Sequence, residues 1–352
     1  MAPTDGIRLD PKQRRLAILA AIIESYAESG EPVASGAVAR MLGGSVSSAT
    51  LRNDMASLAQ GGYLFQPHTS SGRIPTERGY RMYVDRLMTC RTLPEDVMRH
   101  IDIQLTACSM DPERFFAETA RMLSGMTHMT AALTHPVSKD ARVLGVELMP
   151  TGRHTCLLMV MISPSMLRTR LCRLDVELTD NALDIMRRIL RTAVCGRHIS
   201  EINHRLVARV KEQLGDAAEA VEPLLLAVRD IVRSGESAQV AMGGQEHLLE
   251  HSAFSDGALR DMLAFLSDRE QLSALMRGSP STINVFIGSE SGRQELREAS
   301  IITAQYSTGA GATGWIGLIG PQRMSYSRLI PCLQYFSDAV GRLLSAMEAE
   351  EI

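Results

Sequence analysis

The stretch Ser47-Ser48-Ala49-Thr50-Leu51-Arg52-Asn53-Asp54-Met55 opens the segment whose pattern decides the N-terminal fold. A helix that starts after Ser45 or Ser47 and stops at Gly61-Gly62 puts Leu51, Met55 and Leu58 on one apolar stripe. At about 100° per residue, Ala49, Arg52, Asn53, Ala56 and Gln60 point the other way. The outer N-terminal half therefore offers Ser48, Arg52 and Asn53 between small residues. Arg bonds guanine bidentately, Asn bonds adenine, and small neighbours let a helix approach a major groove closely. Ser47 and Ser48, with the free N–H groups of a helix start, suit phosphate, and Thr50 joins them beside the core stripe. An ordinary amphipathic helix with a polar outer face is the competing reading of the same wheel.

The residues on either side favour the DNA reading. Upstream, Asp10 caps a first helix with Pro11 at its first position, and Gly30 ends it. Its predicted stripe is Leu16, Leu19, Ala20, Ile23 and Tyr26 or Ala27. A second short helix runs from about Ser35 to Leu42. Downstream, Tyr63-Leu64-Phe65 and Arg73-Ile74 frame the turn Ser70-Ser71-Gly72, and Thr76 caps a helix that reaches about Met88. Three helices, a hairpin and a further helix make the order of a winged helix-turn-helix. The hairpin has a polar tip and carries Arg73, which suits a phosphate backbone or a minor groove.

Beyond residue 91 the pattern changes. Asp96–Ala107 and Pro112–Met126 are predicted helices. Arg142–Met149, Thr155–Ile162 and Leu167–Val176 are predicted strands. Helices follow at Asn181–Ala193, Ile199–Leu214, Glu219–Val232 and Asp256–Met276. Strands resume at Thr282–Ile287, Ser300–Tyr306 and Trp315–Ile319, before a terminal helix at about Ser325–Met347. An α+β domain whose sheet is interrupted by a helical insertion is the simplest topology.

The 352 residues carry a net charge of -3, unevenly spread. Residues 1–91 balance to +3 and the rest to -6, so one arm suits a polyanion. No apolar run approaches the roughly 20 residues that span a bilayer, and no secretory signal is visible. The six Cys stand at 90, 108, 156, 172, 195 and 332, never in zinc-binding spacing, and predict reduced thiols, mostly small buried hydrophobes, in a cytoplasm.

Several stretches resemble the HrcA heat-inducible transcription repressors of bacteria. They are Gly30-Glu31-Pro32-Val33, Ser47 to Met55, Gln66-Pro67-His68-Thr69-Ser70-Ser71-Gly72-Arg73-Ile74-Pro75-Thr76, Gly79-Tyr80-Arg81-Met82-Tyr83-Val84-Asp85, and Ile319-Gly320-Pro321-Gln322-Arg323-Met324-Ser325-Tyr326-Ser327-Arg328. The resemblance spans nearly the whole chain and is weakest between about 180 and 240. It implies an α+β multidomain protein: a winged helix-turn-helix at 1–91, then a GAF-like α+β domain interrupted by a helical dimerising insertion. The first part of that domain, with linker helices, is placed at 92–180, the insertion at 181–250 and the second part at 251–352. The resemblance also implies a homodimer on an inverted-repeat operator of double-stranded DNA ahead of chaperone genes. The GroEL chaperonin is expected to maintain the active repressor until heat diverts it. Arg52 and Asn53 are then expected to read bases, and Ser47, Ser48, Thr50 and Arg73 to hold phosphate. Ala34-Ser35-Gly36 lacks the basic residue that the family commonly places after that Ser. An inverted repeat demands a two-fold protein, and Leu224, Leu225, Val228 and Ile231 are candidates to pair across it; packing within their own chain is the competing reading.

Two other readings follow from single motifs. His247-Leu248-Leu249-Glu250-His251 matches the H-x-x-E-H pattern of zinc peptidases, with no segment supplying a third ligand. Gly309-Ala310-Gly311-Ala312-Thr313-Gly314 has no following Lys-Ser/Thr and is no P-loop. The expectation is a non-enzyme with no metal, no cofactor and no membrane contact. A repressor switched by a small ligand in the GAF-like domain is the alternative within DNA binding.

Overall fold

Asp10 starts the first helix by accepting from the Lys12 N–H at 3.3 Å, and Gly30, at φ 70°, ends it by donating to the Tyr26 carbonyl. The computed structural model describes residues 10–44, 46–68, 71–108, 112–138, 140–163, 166–215, 218–236, 240–250, 253–277, 282–309 and 311–350. Helix α1 (Pro11–Ser29) buries Ile18, Leu19, Ile22 and Ile23. Of the predicted stripe, Leu19 and Ile23 are buried and Ala20 and Tyr26 pack partly buried against the same core; Ile18 and Ile22 widen the face, because α1 packs against several elements at once. Those partners are α2 (Ser35–Met41), α3 (Ser48–Gln60) and a hairpin of β1 (Leu64–Phe65) and β2 (Ile74–Pro75). A backbone bridge between Val33 and Arg73, 2.9 Å in both directions, ties the connection between α1 and α2 to the hairpin. Gly72 permits it: a Cβ there would meet the Val33 backbone carbon at 2.4 Å. Helix α4 (Glu77–Met82), capped by Thr76, passes into one π-helical turn at Tyr83–Leu87. These elements are called the head.

Helices α5 (Glu95–Cys108) and α6 (Pro112–Thr127) lead to β3 (Thr130–Thr134), a strand that the sequence pattern did not reveal. All five of its residues are buried, so it shows no period-two alternation. The chain then builds a separate unit. Strands β4 (Gly145–Gly152), β5 (Thr155–Ser163) and β6 (Met166–Arg173) form their own antiparallel sheet. Helices α7 (Asp180–Val194), α8 (His204–Leu214) and α9 (Ala218–Glu236) share a core with it that includes Leu148, Leu158, Leu190 and Val228. The chain returns through β7 (Val240–Gly243), α10 (Glu246–Glu250), α11 (Asp256–Ser267), α12 (Arg269–Arg277), β8 (Ile283–Ile287), β9 (Ala299–Ser307), β10 (Thr313–Pro321) and α13 (Tyr326–Glu350). The second sheet has the order β7-β3-β10-β9-β8, antiparallel throughout. Its strand residues Leu133, Ile302 and Leu318 pack with Phe336 and Val340 of α13. Ala132, Ile301 and Ile319 on its other face pack with Met262, Phe265 and Leu272 of α11 and α12.

Three expectations change here. The three strands after residue 140 do not belong to the interrupted sheet, and β7, inside the expected 181–250 insertion, does. Strand patterns show which residues face a core but not which sheet a strand joins. Leu224, Leu225, Val228 and Ile231 are buried within the separate unit and are not presented to a second copy. The helix expected at 256–276 breaks at Asp268, whose carboxylate accepts from Gln271 N–H and starts α12. Cys156, Cys172 and Cys332 are buried free thiols, whereas Cys90 is exposed. No helix among the described residues is long and apolar enough to cross a membrane.

Candidate nucleic-acid interface

Helix α3 is fixed on one side and open on the other. Ser47 caps it: the hydroxyl accepts from the Thr50 N–H at 3.2 Å and shares a 2.9 Å hydrogen bond with the Thr50 hydroxyl. Leu51, Met55 and Leu58 are buried against the rest of the head, as their spacing predicts. Asp54 is buried with them, which the wheel did not foresee. Its carboxylate takes a 2.7 Å hydrogen bond from Arg14 Nε, and Arg15 stands 4.0 Å away. Asp54 in turn holds the Arg14 guanidinium above its ordinary pKa. The pair ties α3 to α1 at a set rotation. Two Arg one turn from the capping Asp10 were a legible signal for a carboxylate partner, but not for which one.

The open side carries the predicted reading residues. Arg52, Asn53, Ser48 and Ala49 are exposed, and among the described residues the side chains of Arg52 and Asn53 form no hydrogen bond; only the Asn53 carbonyl accepts, from the Ser57 hydroxyl. Ser47 is exposed, but its hydroxyl is occupied in the cap; Thr50 is half-buried and bonded to Ser47. The Thr50 N–H is taken as well, by the Ser47 hydroxyl, so neither residue offers an unengaged side-chain hydroxyl at the helix start. Arg40, on α2, is exposed as well, and sequence reasoning left it out.

Arg73 stands at the base of the hairpin, where the bridge to Val33 fixes its backbone and its side chain is half-buried. The hairpin loop is closed by Ser71, which donates to the His68 carbonyl at 2.6 Å and accepts from the His68 N–H. Thr69 and Ser70 lie outside the described residues. Arg78 is not aimed outward alone; its guanidinium stacks 4.8 Å from the Tyr63 ring centroid.

The head is seated on the rest of the chain by sequence-distant groups. Glu77 accepts from Ser289 N–H at 3.2 Å, the Ser289 hydroxyl at 2.5 Å and Gln322 Nε2 at 3.1 Å. Arg81 bonds Glu290, Asp85 and the Val285 carbonyl. Burial pushes the Glu290 carboxyl up, but Arg81 and the Ile287 N–H outweigh it, and the net shift is downward. The rings of Tyr80 and Tyr326 lie 5.9 Å apart. Gly30 leaves room for the Arg323 guanidinium, which a Cβ would strike. The glycine stretch at 30, the α4 stretch and the Ile319–Arg328 stretch thus meet at one seam.

Of the H-x-x-E-H segment, His247 to Glu250 are described. His247 Nδ1 lies 3.1 Å from Glu250 on five-residue α10, and its ring meets the His128 ring edge-on at 5.4 Å. His251 lies outside the described residues. Among the described residues no three metal-binding side chains converge.

A capped helix with an open Arg and Asn face beside a hairpin, seated on an α+β body, is an arrangement that suits a transcription regulator. Residues 113–330 match the family model described as the HrcA protein C terminal domain. Proteins named heat-inducible transcription repressor HrcA are similar over almost their full length. The one from Lachnoclostridium phytofermentans is 31% identical, covering 91% of this chain and 94% of that protein. Those from Geobacter sulfurreducens and a Nocardioides species are 31% and 32% identical, each covering 95% of this chain and 98% of the relative. A crystal structure described only as that of a hypothetical protein shares the fold, with a TM-score of 0.61 and 24% identity over 95% of this chain and 98% of that one. The chain belongs to the HrcA family of heat-inducible transcription repressors.

Proposed function

We propose that this repressor binds an inverted-repeat operator in double-stranded DNA ahead of chaperone genes, as a homodimer in the cytoplasm, and performs no catalysis. The observation that carries the reading is the outer face of α3, where Arg52 and Asn53 stand free while Asp54 and Arg14 lock the opposite side. The head is read as a winged helix-turn-helix, with α3 in the major groove. Arg52 and Asn53 read bases; Ser47, Ser48, Thr50 and Arg73 hold phosphate. The five-stranded sheet with α10–α13 is read as the GAF-like domain. The unit from β4 to α9 is the inserted dimerising segment, which moves the division from 181–250 to about 140–236.

The two-fold is supported by a surface that the sequence did not single out. The outer face of the three-stranded sheet aligns Met149, Leu157 and Leu171 in one row and Met161 with Leu167 in another. Leu171 is 65% exposed and Leu167 53%. Exposed apolar rows of this kind mark interaction surfaces. Dependence on the GroEL chaperonin rests on family membership: heat diverts the chaperonin, the folded repressor declines, and transcription follows. Operator footprinting with and without chaperonin tests the reading. A protected inverted repeat whose occupancy rises with chaperonin is expected; protection of no operator sequence overturns it.

A further inference from the structure

A cleft of about 730 Å³ opens where four segments meet. Its walls are the end of α1, the connection at 91–94 with the start of α5, the end of α6 with its following turn, and residues 321–332. Head and body therefore both contribute. Leu93, Val97, Met129 and Leu329 give it an apolar lining. Arg91, Arg323, Arg328 and His128 surround that lining, with Glu28 as the one acid. Arg91 and Arg328 are exposed, and neither forms an ion pair or a side-chain hydrogen bond among the described residues. Arg323 is already engaged beside Gly30, at the carbonyl end of α1.

The volume falls in the range of small-molecule sites, roughly 300–1,000 Å³, which are mostly apolar with a few convergent polar groups. Two unmatched guanidinium groups beside an apolar cleft are complementary to an anion with an apolar body. We propose that the cleft binds a small anionic amphiphile, an acyl chain or ring system carrying one carboxylate, with Arg91 and Arg328 holding the head group. The site lies at the head–body seam, outside the sheet core of the body. On the repressor reading above, a ligand that favours one seam geometry shifts operator affinity.

Binding is tested first without DNA, so that it stands apart from the repressor reading. Decanoate, decyl phosphate and 1-decanol are titrated calorimetrically into the full-length protein. Saturable one-site binding of decanoate is expected, weakened at least about tenfold in Arg91→Gln and in Arg328→Gln. Both side chains are exposed, so unchanged melting of the two variants accompanies that loss. Met126→Trp, which narrows the cleft and keeps both cations, is expected to abolish binding. Equal affinity for 1-decanol, full affinity in both Arg variants, or no saturable heat up to millimolar decanoate overturns the site. Tighter binding of decyl phosphate overturns the carboxylate head group in favour of a phosphate. A separate operator footprint with decanoate reads the coupling: unchanged occupancy, with binding intact, overturns the coupling and leaves the site.

Discussion

The two large sheets of this chain are made of similar antiparallel strands and end in opposite situations. The five-stranded sheet is covered twice, by α13 and α6 on one face and by α10–α12 on the other. The three-stranded sheet is covered once, by α7–α9, and Met149, Met161, Leu167 and Leu171 on its other face are 40–65% exposed. Apolar area that stays in water forfeits about 25 cal/mol per Å², so an uncovered row is stable only if something else covers it or the fold tolerates the loss. A sheet covered twice is a scaffold, and a sheet covered once leaves an apolar face open for the two-fold proposed above. Helix α3 repeats the contrast on a smaller scale: one side is locked by Asp54, and the other stays open.

The contrast is broken most severely from the covered side. Phe336 is fully buried beneath the five-stranded sheet, and Phe336→Ala is expected to cost about 3–5 kcal/mol of stability in urea unfolding. Leu171→Ala, on the open face, is expected to change monomer stability by no more than about 0.5 kcal/mol. Equal costs at the two sites erase the distinction between the sheets.

From the open side, Leu167→Arg combined with Leu171→Arg puts charges into the proposed two-fold. Dimer dissociation measured by sedimentation is expected to weaken by about 100-fold, roughly 3 kcal/mol, while each monomer still folds. A dimer of undiminished affinity moves the two-fold elsewhere on the chain.

His135 stands where the chain leaves β3 for the separate unit, its ring stacked 4.0 Å from that of Phe116. Burial, with Arg168 adding to it, lowers its pKa to about 4. The folded value lies below the ordinary value near 6.5, so the unfolded chain takes the proton first. Stability present above about pH 6.5 is therefore lost as the pH falls toward 4, by about 3 kcal/mol. His135→Leu is expected to flatten that slope; a slope equal to the parent's assigns the acid sensitivity to other groups.

The head gives the smaller effects. Arg52→Ala is expected to cost about 1–3 kcal/mol at the operator and to relax preference at one base position. Competition gel shifts against single-base operator variants read this directly, and an unaltered preference profile removes Arg52 from base reading. Arg73→Ala is expected to weaken all sequences alike and to lower the slope of log affinity against log salt by about 1. An unaltered slope takes Arg73 off the phosphate list.

Much of the head was legible because its signals are local. Asp10, Ser47 and Thr76 cap helices where the sequence places them, and the stripe of Leu51, Met55 and Leu58 is buried as its spacing requires. Asp54 was not legible as an anchor, because its partner Arg14 lies 40 residues away on another helix. Strands β3 and β7 were missed for a different reason. Thr130-Ala131-Ala132-Leu133-Thr134 is buried on both faces, and Val240-Ala241-Met242-Gly243 is too short to show a period. Leu224, Leu225, Val228 and Ile231 were read correctly as an apolar face, but that face meets the neighbouring helices and sheet of its own unit.

By itself, then, the sequence determined the helix starts and stops of the head, the buried and open sides of α3, and the family. Those depend on dihedral preferences, capping groups and spacing within a few turns of chain. Only the tertiary structure decided which strands share a sheet, which apolar face stays uncovered, and which cations remain unpaired beside the cleft at the head–body seam. Those outcomes depend on contacts between residues far apart in the chain, and a local pattern is the same whichever distant partner answers it.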